Sequence, residues 1–130
     1  MSETYDYAAL IRRYFLAVDE KRLDDIVECF HEDATFDFPL AEEPVRGHDA
    51  LRTFFAAHTG RFTEHVDAVT RVLVEGDLGI SELVFDATTT DGLVVHLENC
   101  NAYRFRAGKF AAVKVYGDSV EMKRQFGLPA

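Results

Sequence analysis

The sequence has no tryptophan, only three prolines and two cysteines, and it is short of positive charge. Fourteen lysines and arginines stand against 23 aspartates and glutamates, a formal net charge of −9 over 130 residues. Nothing here supplies a dense basic footprint, so neither nucleic acid nor a membrane surface is an expected partner. No apolar run approaches the roughly 18 residues of a membrane span. The opening residues Met1-Ser2-Glu3-Thr4-Tyr5-Asp6 are acidic and polar, and no secretory signal is visible in them. Cys29 and Cys100 form neither a metal-ligand spacing nor a disulfide framework, which fits reduced thiols in a cytoplasmic protein. The five histidines contain no i, i+4 pair and no HExxH, so no metal is expected. A Gly-rich phosphate loop and a GxSxG elbow are also missing, which removes support for nucleophile-based hydrolases.

What the chain does have is apolar material. Hydrophobic residues make up 48%, with 11 Phe and 5 Tyr, ample for one core, and the length predicts a single domain over residues 1–130. Tyr7, Ile11, Tyr14, Phe15 and Val18 fall at helical spacing over 7–18, and Leu23, Ile26, Val27 and Phe30 predict a second, short helix. Ala34, Phe36 and Phe38 then alternate with polar residues, so a strand begins. Pro39 and Pro44 bound a loop ending at Gly47, and Leu51, Phe54, Phe55 and His58 restore the helical period. After Gly60 strands are predicted over 65–75, 79–90, 93–106 and 110–117, with turns at Glu75-Gly76-Asp77, Asp91-Gly92 and Ala107-Gly108. Asp118, with Glu121 three residues on, can cap a last short helix that stops at Gly127. Helices first and an antiparallel meander second predict an α+β fold, with helices on one face of a curved sheet.

Polarity on an apolar face is the informative feature. Leu93, Val95, Leu97, Tyr103 and Phe105 share a strand face with Asn99 and Asn101, and Tyr14 sits at the centre of the first helical stripe. A cavity lined by Phe, Val and Leu, with amides and a Tyr hydroxyl converging on it, is a recipe for a small-molecule site. A solid core with satisfied polar groups is the plain alternative. Among the histidines, His31 and His48 read as surface residues and His58 as a core or capping residue. His65 and His96, on predicted strands, are the better candidates for a general acid or base.

Arg13-Tyr14-Phe15, Asp33 through Pro39, Glu43 through Gly47, Asn101 through Phe105, Gly108-Lys109-Phe110 and Tyr116-Gly117-Asp118 together resemble the SnoaL-like polyketide cyclase and ketosteroid isomerase superfamily. The resemblance spans nearly the whole chain. It implies the nuclear transport factor 2-like fold: a cone-shaped barrel of a strongly curved, mainly antiparallel sheet. Three N-terminal helices enclose an apolar pocket, and a short helix ends the chain.

It also implies roles. Tyr14 falls at the oxyanion-hole tyrosine of the isomerases, and Asn101 at a second hydrogen-bond donor or catalytic aspartate. Phe38 replaces the isomerase base, so steroid-type isomerisation by that route loses support. Asp19 and Thr63-Glu64-His65 resemble the dehydratase branch, where an aspartate orients a histidine that moves the proton. Asp19 can equally be a helix-end residue, and His65 an exposed strand start. A glutamate that members related to phenazine biosynthesis carry in the last strand is here Val115.

The expected catalytic residues are thus Tyr14, Asp19, His65 and Asn101, with Phe15, Phe38, Phe55, Asn99, Tyr103 and Val115 about the ligand. The expected activity is cofactor-free cyclase, dehydratase or isomerase chemistry on a hydrophobic oxygenated molecule such as a polyketide or terpenoid intermediate. A non-catalytic ligand-binding or scaffold member is the alternative. A homodimer through the sheet face is expected, with His96, Glu98 and Arg104 toward that face.

Overall fold

The computed structural model describes residues 4–130, so what was read from Met1, Ser2 and Glu3 lies outside the described residues. Helix α1 (Tyr7–Asp19) starts where the Asp6 side chain accepts the Ala9 N–H at 3.0 Å. Its buried stripe contains Leu10, Ile11, Tyr14, Phe15 and Val18. Helix α2 (Leu23–Glu28) is shorter than expected. Phe30 opens strand β1 (Phe30–Asp37) instead of closing the helix, because its backbone is drawn into register with Phe110. Phe38 consequently falls just past the strand. Within the loop, Val45–Arg46 forms a short strand, β2, that the prolines had concealed. Helix α3 (His48–Gly60) follows, then β3 (Phe62–Glu75), β4 (Leu78–Thr89), β5 (Val94–Arg106) and β6 (Lys109–Tyr116). Helix α4 (Ser119–Phe126) begins at the Asp118 side chain, which accepts the Glu121 N–H at 3.0 Å, and ends at Gly127 with φ +73°.

The six strands form one sheet in the order β2-β1-β6-β5-β4-β3. Neighbours pair antiparallel except β1 with β6, which run parallel. Strands β2 and β3 are the two edges, so the sheet curls without closing. Register shifts at Phe30/Thr35, Phe62/Glu64, Val69/Arg71 and Arg104/Phe105 are where extra residues bend the strands. Helix α1 lies against β3, α3 against β1 and β2, and α4 against β5. The concave face and these helices bury one core, including Ile11, Ile26, Phe30, Leu51, Phe62, Phe110 and Met122. No helix among the described residues is long and apolar enough to cross a membrane.

Candidate functional site

An internal pocket opens where the concave face meets α1, α3 and α4. Phe15 and Val18 from α1, Phe36 and Phe38, Phe54 and Phe55 from α3, and Phe126 from α4 form its apolar wall. Tyr14, His58, Asp67, Asn99 and Asn101 supply the polar groups on it. Its volume is about 50 Å³, small beside the roughly 300–1,000 Å³ that encloses a drug-sized ligand.

The charged corner is built by β3 and the end of α1. Strand β3 is a sheet edge, so its outward backbone groups have no further strand to pair with. Asp19, the last residue of α1, closes one of them: its Oδ1 accepts the Asp67 N–H at 2.9 Å. Two residues before Asp67 on the same strand, His65 is buried, its side chain only 1% exposed. Its Nδ1 lies 3.6 Å from Asp19 Oδ1 and 3.8 Å from Asp67 Oδ2, and neither ring nitrogen has a hydrogen-bond partner.

Burial alone would push the His65 pKa down. The two carboxylates outweigh it and raise the value to about 9, so the ring is an imidazolium at neutral pH. Burial raises Asp67 well above the ordinary carboxylate range, opposed by His65 and reinforced by Asp19. His58, one α3 turn from the inner aromatic wall, is lowered to about 4 by burial and by the nearby His65 and Arg61 charges, and stays neutral.

Strand register sets the other polar side. Asp67 pairs with Phe85, which pairs with Leu97, and Asn99 lies two residues further along β5 on the same face, so Asp67 and Asn99 stand two strands and two residues apart, roughly 12 Å. Both Asn99 Oδ1 and Asn101 Oδ1 are buried without a partner. Asn99 fits because residue 117 is glycine: a Cβ there would lie 2.5 Å from Asn99 Oδ1. Tyr14 is buried among Phe15, Phe30, Phe55 and Phe110. Burial, with lesser help from Tyr103 and Asp67, raises its pKa well above the usual phenol value, so its hydroxyl remains a donor.

Of the expected residues, Tyr14, Asn101, Phe15, Phe38, Phe55, Asn99 and Val115 line the pocket. Asp19 and His65 do not; they stand behind Asp67, brought together but one layer back. Tyr103 is also outside the lining. Its hydroxyl is committed to Ser81 Oγ at 2.7 Å and its ring stacks on Phe105 and Phe110. His96 is not an acid or base of this site: it is exposed on the convex side, with Nδ1 2.6 Å from Asp86 Oδ1. His31 and His48 lie half-buried at the surface, and their rings bond the carbonyls of Arg106 and Phe30.

Sequence reasoning missed Asp67, and it took His58 for a core or capping residue, whereas His58 is also part of the pocket lining. The signal for Asp67 was its i+2 spacing from His65, which puts both on one face of the strand. Within single elements the sequence offers no metal-ligand spacing. Across two elements, His65 Nδ1 and one oxygen each of Asp19 and Asp67 lie within 4.8 Å of one another, so this trio has the reach to hold a divalent cation in place of a shared proton.

Residues 11–113 match the SnoaL-like domain family. Among solved structures, an NTF2-like protein of unknown function from Burkholderia pseudomallei superposes with TM-score 0.84 at 18% identity, covering 92% of this chain and 95% of that one. IdmH from Streptomyces antibioticus, called a polyketide cyclase, superposes with TM-score 0.77 at 21% identity, covering 93% and 98%. An LEH-like epoxide hydrolase from M. tuberculosis superposes with TM-score 0.76 at 15% identity, covering 91% and 86%. At these identities the likeness concerns the fold.

Proposed function

This chain belongs to the SnoaL-like domain family, and on that premise we propose that it is an acid/base enzyme, working without a cofactor on an oxygenated, largely apolar small molecule such as a polyketide or terpenoid intermediate. One observation carries the reading. Six buried side-chain polar atoms lack a protein partner among the described residues, and they belong to Asp67, His65, Asn99, Asn101 and Arg61. Buried polar groups are ordinarily paired, and leaving one unpaired costs about 1–3 kcal/mol. Three of the six, on Asp67, Asn99 and Asn101, belong to residues lining the one pocket, with His65 directly behind; gathering that cost in one place is what a ligand-binding site does and a plain core does not.

The chemistry is proton transfer beside a carbonyl, as in dehydration, isomerisation or ring closure. Asp67 takes the proton, in the place of the carboxylate that Phe38 cannot supply. A base works best with a pKa near the working pH, and burial moves Asp67 in that direction. The Tyr14 hydroxyl and the Asn101 amide N–H donate to the developing enolate oxygen. His65, held as an imidazolium by Asp19, balances the charge of ionised Asp67 and relays protons to it. The neighbours called a polyketide cyclase and an epoxide hydrolase support a small oxygenated ligand, without fixing which.

The proposal extends to a cytoplasmic, single-domain protein that pairs as a homodimer through the convex sheet face. There Val66, Leu73, Leu78, Val94 and Tyr116 are exposed beside His96, Glu98 and Arg104.

The test uses cyclohexanone in D2O, with α-proton exchange followed by NMR. The protein should accelerate exchange over buffer, and Asp67→Asn should lose at least about 100-fold of that acceleration. Binding of the ketone with no exchange would point instead to a non-catalytic ligand-binding member of the family.

A further inference from the structure

The inner pocket is too small to hold a whole polyketide or terpenoid fragment, and a second groove adjoins it. Phe38, Phe54, His58 and Phe126 line both, so the groove is the outer continuation of the pocket, with a volume of about 300 Å³. Leu40, Ala41, Ala57 and Leu128 make the rest of its wall apolar. One charged side chain lies on that wall. Arg61 follows the last turn of α3, three residues after His58, so the two side chains are neighbours on one helix face, about 5–6 Å apart at Cβ.

Arg61 is half-buried and held. Its guanidinium carbon lies 5.6 Å from the centroid of the Phe126 ring. Its Nε is buried with no hydrogen-bond partner. The chain has 23 acidic residues, yet among the described residues no carboxylate lies within ion-pairing distance of Arg61. Arg22, Arg52, Arg71, Arg106 and Arg124 each have one, and Arg12, Arg13, Arg46 and Arg104, which also lack one, are exposed to solvent whereas Arg61 is half-buried. His58, its nearest titratable neighbour on the helix, is neutral and adds no competing charge.

An arginine lying over an aromatic ring, with a desolvated Nε and no internal anion, is arranged for an external one. The guanidinium fork matches a planar carboxylate, because two parallel N–H···O bonds form at once. We propose that the ligand is an organic acid: its apolar oxygenated part enters the inner pocket and its carboxylate is received by Arg61 in the outer groove. This rests on the reading that the inner pocket takes an organic ligand. It does not depend on which residue moves the proton.

The test compares phenylacetate with phenylacetamide, which share a shape and differ in charge, by calorimetric titration of the full chain. Phenylacetate should bind the wild type at least tenfold more tightly. Arg61→Gln should abolish that preference while leaving phenylacetamide affinity within about twofold, and Arg61→Lys should keep part of it. Amide resonances of Ala57 and Leu128 should shift with phenylacetate. Equal binding of the two probes, a preference that survives Arg61→Gln, or no binding of either at millimolar concentration would overturn the proposal. Asp67→Asn separates the two readings: if ketone exchange never occurs while the carboxylate preference holds in both wild type and Asp67→Asn, the proton-transfer reading falls and the organic-acid subsite stands.

Discussion

The interior of this protein has two ends made of similar residues and finished differently. Around Tyr103, Phe105 and Phe110 the rings stack closely: Tyr7 on Phe105 at 4.1 Å, Tyr103 on Phe110 at 5.1 Å and Phe30 against Phe110 at 5.1 Å. The polar atoms there are paired, Ser81 with Tyr103 and the Tyr7 hydroxyl with the Gly108 N–H. Around Asp67 the same kind of aromatic wall surrounds carboxylate, imidazole and amide atoms with no partner. Phe and Tyr content alone therefore does not mark a site. What marks it is polarity left unsatisfied inside an apolar shell, at a cost the packed end avoids.

The comparison breaks most visibly if the packed end is opened. Phe110 is fully buried, so Phe110→Ala should cost about 3–5 kcal/mol of stability in denaturant melts. Phe38→Ala, at the half-open mouth, should cost clearly less. Tyr14 borders both ends. Tyr14→Phe keeps the ring packed and removes the donor, so stability should hardly move. The barrier for ketone exchange should rise by on the order of 3 kcal/mol, or about 100-fold in rate.

A smaller effect concerns pH. If Asp67 is the base, the rate rises with pH as its carboxyl ionises, with a midpoint above the ordinary carboxylate value. It then falls as His65 loses its proton near 9. Asp19→Asn removes an anion that favours the imidazolium, so the falling arm should move to lower pH. A falling arm that stays in place would show that Asp19 does not hold the His65 proton. The smallest effect expected is from Gly117→Ala, whose Cβ would press on the Asn99 amide. It should weaken ligand binding several-fold with little change in the rate at saturation.

The sequence made the elements legible because their periods differ cleanly. Apolar spacing of three and four through α1 and α3 gives way to alternation in β4 and β5, and Asp118 and Gly127 bound α4 as their chemistry predicts. Tyr14, Asn99 and Asn101 were legible as site residues because each interrupts an otherwise apolar face. Asp67 was not, since β3 is an edge strand whose Val66, Leu73 and Val74 are themselves exposed. On such a strand an aspartate looks ordinary. In the sequence only its i+2 spacing from His65 pointed inward; in the fold its buried side chain lines the pocket, and Asp19 holds its backbone N–H across 48 residues of sequence. Arg61 was invisible for a related reason: its isolation from carboxylates is a property of the folded chain.

The central claim is that the fold holds Asp67 and His65 away from their ordinary protonation, and NMR titration of the Asp67 carboxyl carbon and the His65 ring tests it directly. Asp67 should titrate well above the ordinary carboxylate value of about 4 and His65 near 9. An Asp67 midpoint near 4 together with a His65 midpoint near 6.5 would contradict the account, leaving two solvated side chains where the acid/base pair should be.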